Sequence, residues 1–407
     1  MIINVIGLGY IGLPTALILA ACDNNVFGTD YNKVLVSKLN QGEVTFDEVG
    51  IKELFEAATR KYIKFSSEYI KTNFYIIAVP TPYDKISKKI DPSYVVKAVN
   101  NILDVCEKDS IIVIESTISP GTINKYIRPI INEKNQSING TINVVHAPER
   151  IIPGNMIYEL RHNSRTIGAD NAKTGEIVKK VYSSFCNGEI IITDIRTAEM
   201  TKVVENTFRD INIAFANELA KICASDEMNV YEIIRIANKH PRVNILSPGP
   251  GVGGHCISVD PWFLVGDYPG LANIILTARR INDSMPEYVL ERIHDIMKEK
   301  NMTDLSRIGL YGLTYKENVD DTRESPSLQL IDSIKKHLGS ALKSYDPFVK
   351  SSIVENQYHN FNLFLDNIDL IVIMVSHDEI KNNIGLLKGK IVFDTKNICN
   401  IDGIYKL

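Results

Sequence analysis

Residues 2–30 constrain the fold more tightly than any other stretch of the chain. Ile2-Ile3-Asn4-Val5-Ile6 is a short apolar run of strand character, and Gly7-Leu8-Gly9-Tyr10-Ile11-Gly12 follows it directly. An apolar helical segment runs from Ile11 to about Cys22, and Val26-Phe27-Gly28-Thr29-Asp30 reads as a second strand ending in a carboxylate. Strand, glycine turn, helix, strand and acid in that order predict a βαβ unit whose helix N-terminus can hold a pyrophosphate. The first glycine makes the turn, the second admits the phosphates, and the third lets helix and strand pack. Asp30 can accept both ribose hydroxyls and repels a 2′-phosphate. Gly7, Gly9, Tyr10, Ile11, Gly12 and Asp30 therefore predict an NAD site. Lys33 lies near enough to keep NADP open, and the alternative is a structural turn without a ligand.

Near-continuous apolar runs at Phe74–Val79 and Ile111–Glu115 extend this pattern to about residue 195. Such runs, separated by helices, indicate a parallel sheet covered on both faces. The polar stretch Asn132–Asn143 reads as a surface loop. From Thr197 to about His240 there is no Gly or Pro, and apolar positions recur with a helical period. Long helices are expected there, broken near Asp226–Asn229, and a helix of this length also offers a dimer interface. Strand-like runs return at Ile308–Leu313, Leu370–Val375 and Ile391–Asp394, with a helical pattern over Ser327–Leu338. The expected class is α/β: two Rossmann-like parallel-sheet domains joined by a helical middle domain. The boundaries expected are 1–195, 196–300 and 301–407.

A net charge of −4 gives no electrostatic footprint for nucleic acid or an anionic membrane. No stretch approaches the ~20 apolar residues of a membrane span. Met1–Ala21 is broken by glycines and Pro14 and has no basic leader, so no signal peptide is expected. Six scattered cysteines without CxxC spacing point to reduced thiols in a cytoplasm, and to no metal site. Five of them read as buried or incidental. Cys256 does not, because it stands in Pro248-Gly249-Pro250-Gly251-Val252-Gly253-Gly254-His255-Cys256-Ile257-Ser258-Val259-Asp260-Pro261. Glycines let a backbone approach a ligand and prolines fix its path, so the segment presents one sulfur. His255 reads as structural, since adjacent side chains in an extended loop point apart.

Lys202 and Asn206, four residues apart, share one face of the predicted helix, and Asp210 extends it. Their setting, Arg196 to Asp210, resembles the central domain of the UDP-glucose/GDP-mannose dehydrogenase family. The Gly253-Gly254-His255-Cys256 segment is similar to that family's catalytic loop. Leu313-Thr314-Tyr315-Lys316-Glu317-Asn318-Val319-Asp320-Asp321-Thr322-Arg323-Glu324-Ser325-Pro326 resembles the signature that opens its last domain. With Ala78-Val79-Pro80-Thr81-Pro82 and Glu115-Ser116-Thr117, the likeness covers essentially the whole chain.

The resemblance implies a four-electron oxidation of a sugar C6 hydroxymethyl to a carboxylate, with two NAD consumed. It makes Cys256 the nucleophile of a thiohemiacetal and then a thioester. Lys202, or a water held by Asp260, is the base of the first oxidation. Lys202 and Asn206 stabilise the oxyanions, Glu149 orients the hydrolytic water, and Thr117 bonds an active-site water. Val79, Thr81, Thr117 and Arg323 join the cofactor residues. Arg150, Gly253 and Lys316 join Lys202 and Asn206 at the substrate, and Arg242 enters the neighbouring subunit's site in a homodimer.

The glucose-oxidising branch continues from its Pro-Glu pair with Phe-Leu, whereas this chain reads Pro148-Glu149-Arg150-Ile151-Ile152-Pro153-Gly154. That departure, with Arg161–Gly168, Phe208–Glu218 and Pro248–Phe263, resembles the branch acting on N-acetylated hexosamines. The expected substrate is UDP-N-acetyl-D-mannosamine; UDP-N-acetyl-D-glucosamine and UDP-glucose are the alternatives. A two-electron β-hydroxyacid dehydrogenase shares the first two domains but needs no thiol. A non-catalytic sensor has no use for the set Lys202, Asn206, Cys256 and Asp260.

Overall fold

Strand β1 (Ile2–Ile6) lies at the centre of an eight-stranded sheet, with β2 (Asn25–Thr29) on one side and β4 (Phe74–Ile77) on the other. The chain was studied as a computed structural model, which describes residues 1–138, 140–254, 256–338, 342–401 and 403–407. It divides into two compact units, Met1–Glu205 with Trp262–Asp267, and Asn206–Pro261 with Tyr268–Leu407. His255 lies outside the described residues.

The first unit completes its sheet with β3 (Ile63–Ser66), β5 (Ile111–Ile114), β6 (Asn143–His146), β7 (Arg165–Ala169) and β8 (Ile190–Thr193), in the order β3-β2-β1-β4-β5-β6-β7-β8. The order reverses between β1 and β4, which opens a crevice beyond their carboxyl ends. β4 and β5 are buried at every residue, which explains their unbroken apolar sequence. One pairing departs from the parallel expectation: β6 and β7 run antiparallel. The Asn132–Asn143 loop is also corrected, because a helix continues to Ile138 and β6 starts at Asn143. Ile127 and Ile131 bury the inner side of that segment, while both amide atoms of Asn135 bond the backbone of Ile142. Its polar residues form the outer face of a helix.

Trp262 also belongs to this unit. Its ring stacks on Tyr83 at 6.4 Å, and the Lys88 ammonium lies over it at 4.1 Å. Five residues later Asp267 accepts a hydrogen bond from the Ser119 hydroxyl.

The second unit is built on a six-stranded, wholly parallel sheet. Its strands are β9 (Ile308–Tyr311), β10 (Lys343–Tyr345), β11 (Gln357–Tyr358), β12 (Leu370–Ile373), β13 (Ile391–Asp394) and β14 (Tyr405–Lys406), ordered β11-β10-β9-β12-β13-β14. The period of two divides the sheet between two cores. Leu310 and Val372 pack with Val289, Ile293 and Leu330 from helices, whereas Tyr311, Ile371 and Ile373 pack with Phe364.

The glycine-free segment forms one helix of 31 residues, Ile195–Ser225. It breaks where expected: Glu227 adopts φ +55°, and the Asn229 side chain accepts from the N–H groups of Tyr231 and Glu232 to cap the next helix, Val230–Ala237. Among the described residues no helix is long and apolar enough to cross a membrane.

Candidate active site

The glycine fingerprint divides its labour in the structure. Gly7 has φ +88°, and a Cβ there would stand 2.5 Å from the Ala78 carbonyl oxygen. A Cβ on Gly12 would overlap the Gly7 carbonyl, so the helix Gly12–Ala21 can start only from a glycine. A Cβ on Gly9 would meet none of the described residues within 4 Å, the open space that a pyrophosphate needs. That helix has no side-chain cap, which leaves its N-terminal N–H groups to a ligand. Asp30, 9 % exposed, accepts from Leu8 N and Asn32 N at 2.8 Å each. A carboxylate offers about four lone-pair sites, so capacity for ribose hydroxyls remains. Around the same crevice, Thr81 Oγ1 donates to the Thr117 carbonyl at 2.7 Å and Ser116 Oγ to that of Val79 at 2.7 Å. Lys33 is exposed. These residues fit a dinucleotide.

Glu149, two residues before Ile151 in the Pro148–Gly154 run, is buried. Its Oε2 accepts from Arg165 Nη2 at 2.5 Å and its Oε1 from Arg150 N at 2.7 Å. Behind it stands Glu115, wholly buried, which accepts from Tyr182 Oη at 2.6 Å and Thr15 Oγ1 at 3.3 Å. Burial and then the charge of Glu149 push the Glu115 carboxyl up to about 7. Glu115 and Arg165 both fall in stretches that carry the resemblance, but neither has a role assigned there, and Tyr182 lies in none of those motifs. Arg150 is committed as well: its fork donates to the Ser164 carbonyl and hydroxyl and to Thr166, and it pairs with Glu205 at 2.6 Å. Lys202 is buried on the long helix. One turn earlier, Glu199 accepts from Gly121 N at 2.5 Å and Ile123 N at 3.0 Å, tying that helix to the turn after β5.

In the second unit, the thiol loop is shaped by its glycines. Gly254 adopts φ +85° and its N–H donates to the Arg323 carbonyl at 2.9 Å. A Cβ on Gly253 would come within 2.7 Å of both the Glu324 carbonyl and the Tyr315 side chain. The loop is thus pressed against the Leu313–Pro326 signature. It then closes in one turn, with Asp260 N donating to the Cys256 carbonyl at 2.9 Å. Cys256 is exposed, while Cys186, Cys223 and Cys399 are buried and Cys22 and Cys106 are half-buried.

Asn206 is fully buried beside this turn; its Nδ2 donates to Asp260 Oδ2 at 2.5 Å, and its Oδ1 accepts from Arg209. A carboxylate only accepts and a guanidinium only donates, so the amide has one permitted orientation. The donation to Asp260 uses one of the two N–H groups of Asn206. Asp210 serves a different purpose from that expected of its helix face: it accepts from Arg279 Nη1 at 2.6 Å and Asn282 Nδ2 at 2.7 Å. Burial raises its carboxyl to about 6 despite Arg279. Asn282 is linked through Asn217 to Gly249 N, at the start of the thiol loop. Lys316 is half-buried, with its carbonyl held by Thr314 Oγ1 at 2.9 Å. Arg323 pairs with Asp321 at 2.6 Å, and Arg242 is exposed.

Comparison with known proteins settles what these parts amount to. Residues 1–186 match the NAD binding domain of the UDP-glucose/GDP-mannose dehydrogenase family, residues 196–284 its central domain, and residues 309–401 its UDP binding domain. The chain belongs to the UDP-glucose/GDP-mannose dehydrogenase family. It is accordingly an NAD-dependent nucleotide-sugar dehydrogenase, an oxidoreductase. Within the family, the chain is 45 % identical to the UDP-N-acetyl-D-mannosamine dehydrogenase of Methanococcus vannielii, over 98 % of this chain and 93 % of that one. It is 39 % identical to the NDP-N-acetyl-D-galactosaminuronic acid dehydrogenase of Ralstonia nicotianae, over 97 % and 96 %. Among solved structures, the UDP-N-acetyl-mannosamine dehydrogenase of Staphylococcus aureus superimposes with a TM-score of 0.89 at 39 % identity, covering 100 % of this chain and 98 % of its own.

Proposed function

We propose that this dehydrogenase oxidises the C6 hydroxymethyl of UDP-N-acetyl-D-mannosamine to the carboxylate through a thioester on Cys256. The observation that carries this reading is the second unit's thiol loop: an exposed sulfur, presented by glycines, one turn from the Asn206–Asp260 pair. Bound NAD, held by Gly7, Gly9, Tyr10, Ile11, Gly12, Asp30, Val79, Thr81 and Thr117, supplies a hydride acceptor for each of the two oxidations.

The chain's own residues account for the rest. Lys202, or a water on Asp260, takes the hydroxyl proton in the first oxidation. Cys256 then adds to the aldehyde carbon as its thiolate, giving a tetrahedral oxyanion. The Lys202 ammonium and the remaining N–H of Asn206 stabilise that charge, in a buried setting where preorganised donors are most effective. After the second oxidation the acyl group is held on sulfur as a thioester. Glu149 activates water against it, and Thr117 helps to hold that water. Covalent capture keeps the aldehyde from escaping. Arg150, Gly253, Lys316 and the partner-supplied Arg242 complete the sugar-nucleotide site in this reading, and Arg323 stands toward the cofactor.

The mannosamine substrate is supported by the names of the relatives and by the Pro148–Gly154 run. The second reading is the same reaction on UDP-N-acetyl-D-glucosamine or UDP-glucose. NADH formed to endpoint from limiting amounts of each sugar nucleotide decides between them. Two NADH per UDP-N-acetylmannosamine, with little from the others, is the expected outcome; one NADH would remove Cys256 from the chemistry.

We further assign the chain three functional parts, 1–195, 196–300 and 301–407, a cytoplasmic location and a product used in surface polysaccharides. A homodimer is supported by the long helix, whose Val204, Phe208, Phe215 and Ile222 are 47–65 % exposed. These positions recur at helical spacing and form one outward apolar stripe. Phe208→Glu should shift the mass in solution from dimer toward monomer; an unchanged mass would place the interface elsewhere.

A further inference from the structure

Glu149 belongs to a buried charge cluster in the first unit. Glu115 follows β5, Glu149 follows β6, Arg165 opens β7, and Tyr182 ends the helix Ala172–Tyr182. All four are 6 % exposed or less. Arg165 bridges the two acids, with Nη2 at 2.5 Å from Glu149 and Nη1 at 3.8 Å from Glu115. The rings of Tyr182 and Phe185 lie against its guanidinium at 4.7 and 5.1 Å, and its Nε has no hydrogen-bond partner among the described residues.

Two carboxylates share one cation, so the cluster is one proton short of neutrality when both are ionised. An uncompensated charge in the interior is costly, and the cluster as a whole therefore has affinity for one proton. Glu115 is the acid that holds it, because burial and then the charge of Glu149 raise its carboxyl. The other polar groups nearby do not supply a second cation. Thr15 and Tyr182 offer hydroxyls, and Cys186 behind Arg165 is a buried thiol bonded to the Asn163 carbonyl. His146 of β6 is bonded to the Ile114 carbonyl, and the Arg150 guanidinium is turned to Ser164, Thr166 and Glu205.

We propose that Glu115, Arg165 and Glu149 work as a single proton acceptor for thioester hydrolysis, with Arg165 aiming Glu149 and Glu115 sharing the Arg165 cation. The inference rests on the assignment of Glu149 as the group that activates water. In the hydrolytic step the water oxygen bonds to the acyl carbon, the C–S bond breaks, and sulfur leaves as the Cys256 thiolate. One water proton passes to Glu149, which brings the cluster to neutrality when Glu115 is ionised. The other is lost to solvent when the carboxylic acid product ionises. Arg165 and Glu115 touch no reacting atom; they are positioning residues. The raised carboxyl of Glu115 is what a shared proton between two acids requires.

The test uses the full chain with NAD and UDP-N-acetylmannosamine, and follows decay of the acyl adduct on Cys256 by quenched intact mass. Above about pH 7, where Glu115 is ionised, Glu115→Gln removes one of the two negative charges that share Arg165. Adduct decay should slow by about tenfold above pH 7 and stay near the wild-type rate below it, with the KM for NAD unchanged. Arg165→Lys, which keeps the cation and loses the fork, should slow decay on both sides of pH 7. An adduct that decays at the wild-type rate above pH 7 in Glu115→Gln overturns the proposal. Glu149→Gln is the separate control: if it fails to accumulate adduct, the assignment of Glu149 falls and the cluster's role falls with it.

Discussion

Cys256 and Asp30 concentrate two different kinds of dependence in single side chains. The thiol is exposed on a loop whose backbone is set by its neighbours, so replacing sulfur by oxygen changes the chemistry and little else. Cys256→Ser should lower steady-state NADH formation by on the order of 10³-fold or more, since the hydroxyl is a far weaker nucleophile at neutral pH. Near-normal rates would sink the covalent scheme. Asp30 joins the glycine turn to β2 through two backbone N–H groups as well as facing the crevice. Asp30→Ala should weaken NAD binding by roughly 10-fold to 100-fold, the value of one or two hydrogen bonds to a charged group. Calorimetry with the UDP-sugar should show that affinity nearly unchanged; equal loss of both would reassign the N-terminal fingerprint.

At the scale of elements, the decisive contacts are backbone approaches that only glycine permits. Gly253 shows this most clearly, pressed between the Glu324 carbonyl and Tyr315. Gly253→Ala must displace the loop by several tenths of an ångström, enough to misplace sulfur. We expect kcat to fall by about 10²-fold while the melting temperature moves little, read by kinetics beside thermal unfolding. A large loss of stability with normal kcat would mean that the loop's packing matters only to the fold. The sequence revealed these elements unevenly, for physical reasons. The turn at Gly7–Gly12 and the loop at Pro248–Pro261 were legible because glycine and proline act locally on φ. The long helix was legible because no glycine or proline falls between Thr197 and His240. The helix Arg128–Ile138 was hidden, since its solvent face is polar and carries no period that separates it from a loop. Arg165 was hidden for a different reason: its partners lie 16 and 50 positions away, at the ends of other strands. Local spacing cannot encode a pairing that only the sheet order creates.

For the whole molecule, two buried groups set opposing responses to pH. Burial lowers His146 from its ordinary 6.5 to about 3, so it stays neutral in the fold while the unfolded chain gains a proton. Its contribution is complete above about 6.5 and is lost as pH falls toward 3. Glu115 moves from 4.5 to about 7, so the folded chain holds a proton that the unfolded chain has released. Its contribution is complete below about 4.5 and is lost as pH rises through 7. Between about 4.5 and 6.5 the two slopes oppose each other, and stability should vary little from these groups. Glu115→Gln removes its own contribution, so the variant should fall behind wild type as pH drops below 7, by roughly 3 kcal/mol at pH 4.5. Thermal unfolding across that range checks it, and parallel curves for the two proteins would refute the Glu115 assignment.

Trp262 is the chain's one tryptophan, six positions beyond Cys256 in sequence, with its ring stacked on Tyr83 and under the Lys88 ammonium. Light absorbed beyond the tyrosine band is therefore emitted from a single known place. Indole emission responds to a nearby cation and to water, and here the cation is part of the packing. The molecule carries a built-in optical probe at the Tyr83–Lys88 contact of its first unit, so disturbance of that packing can be followed without attaching a label.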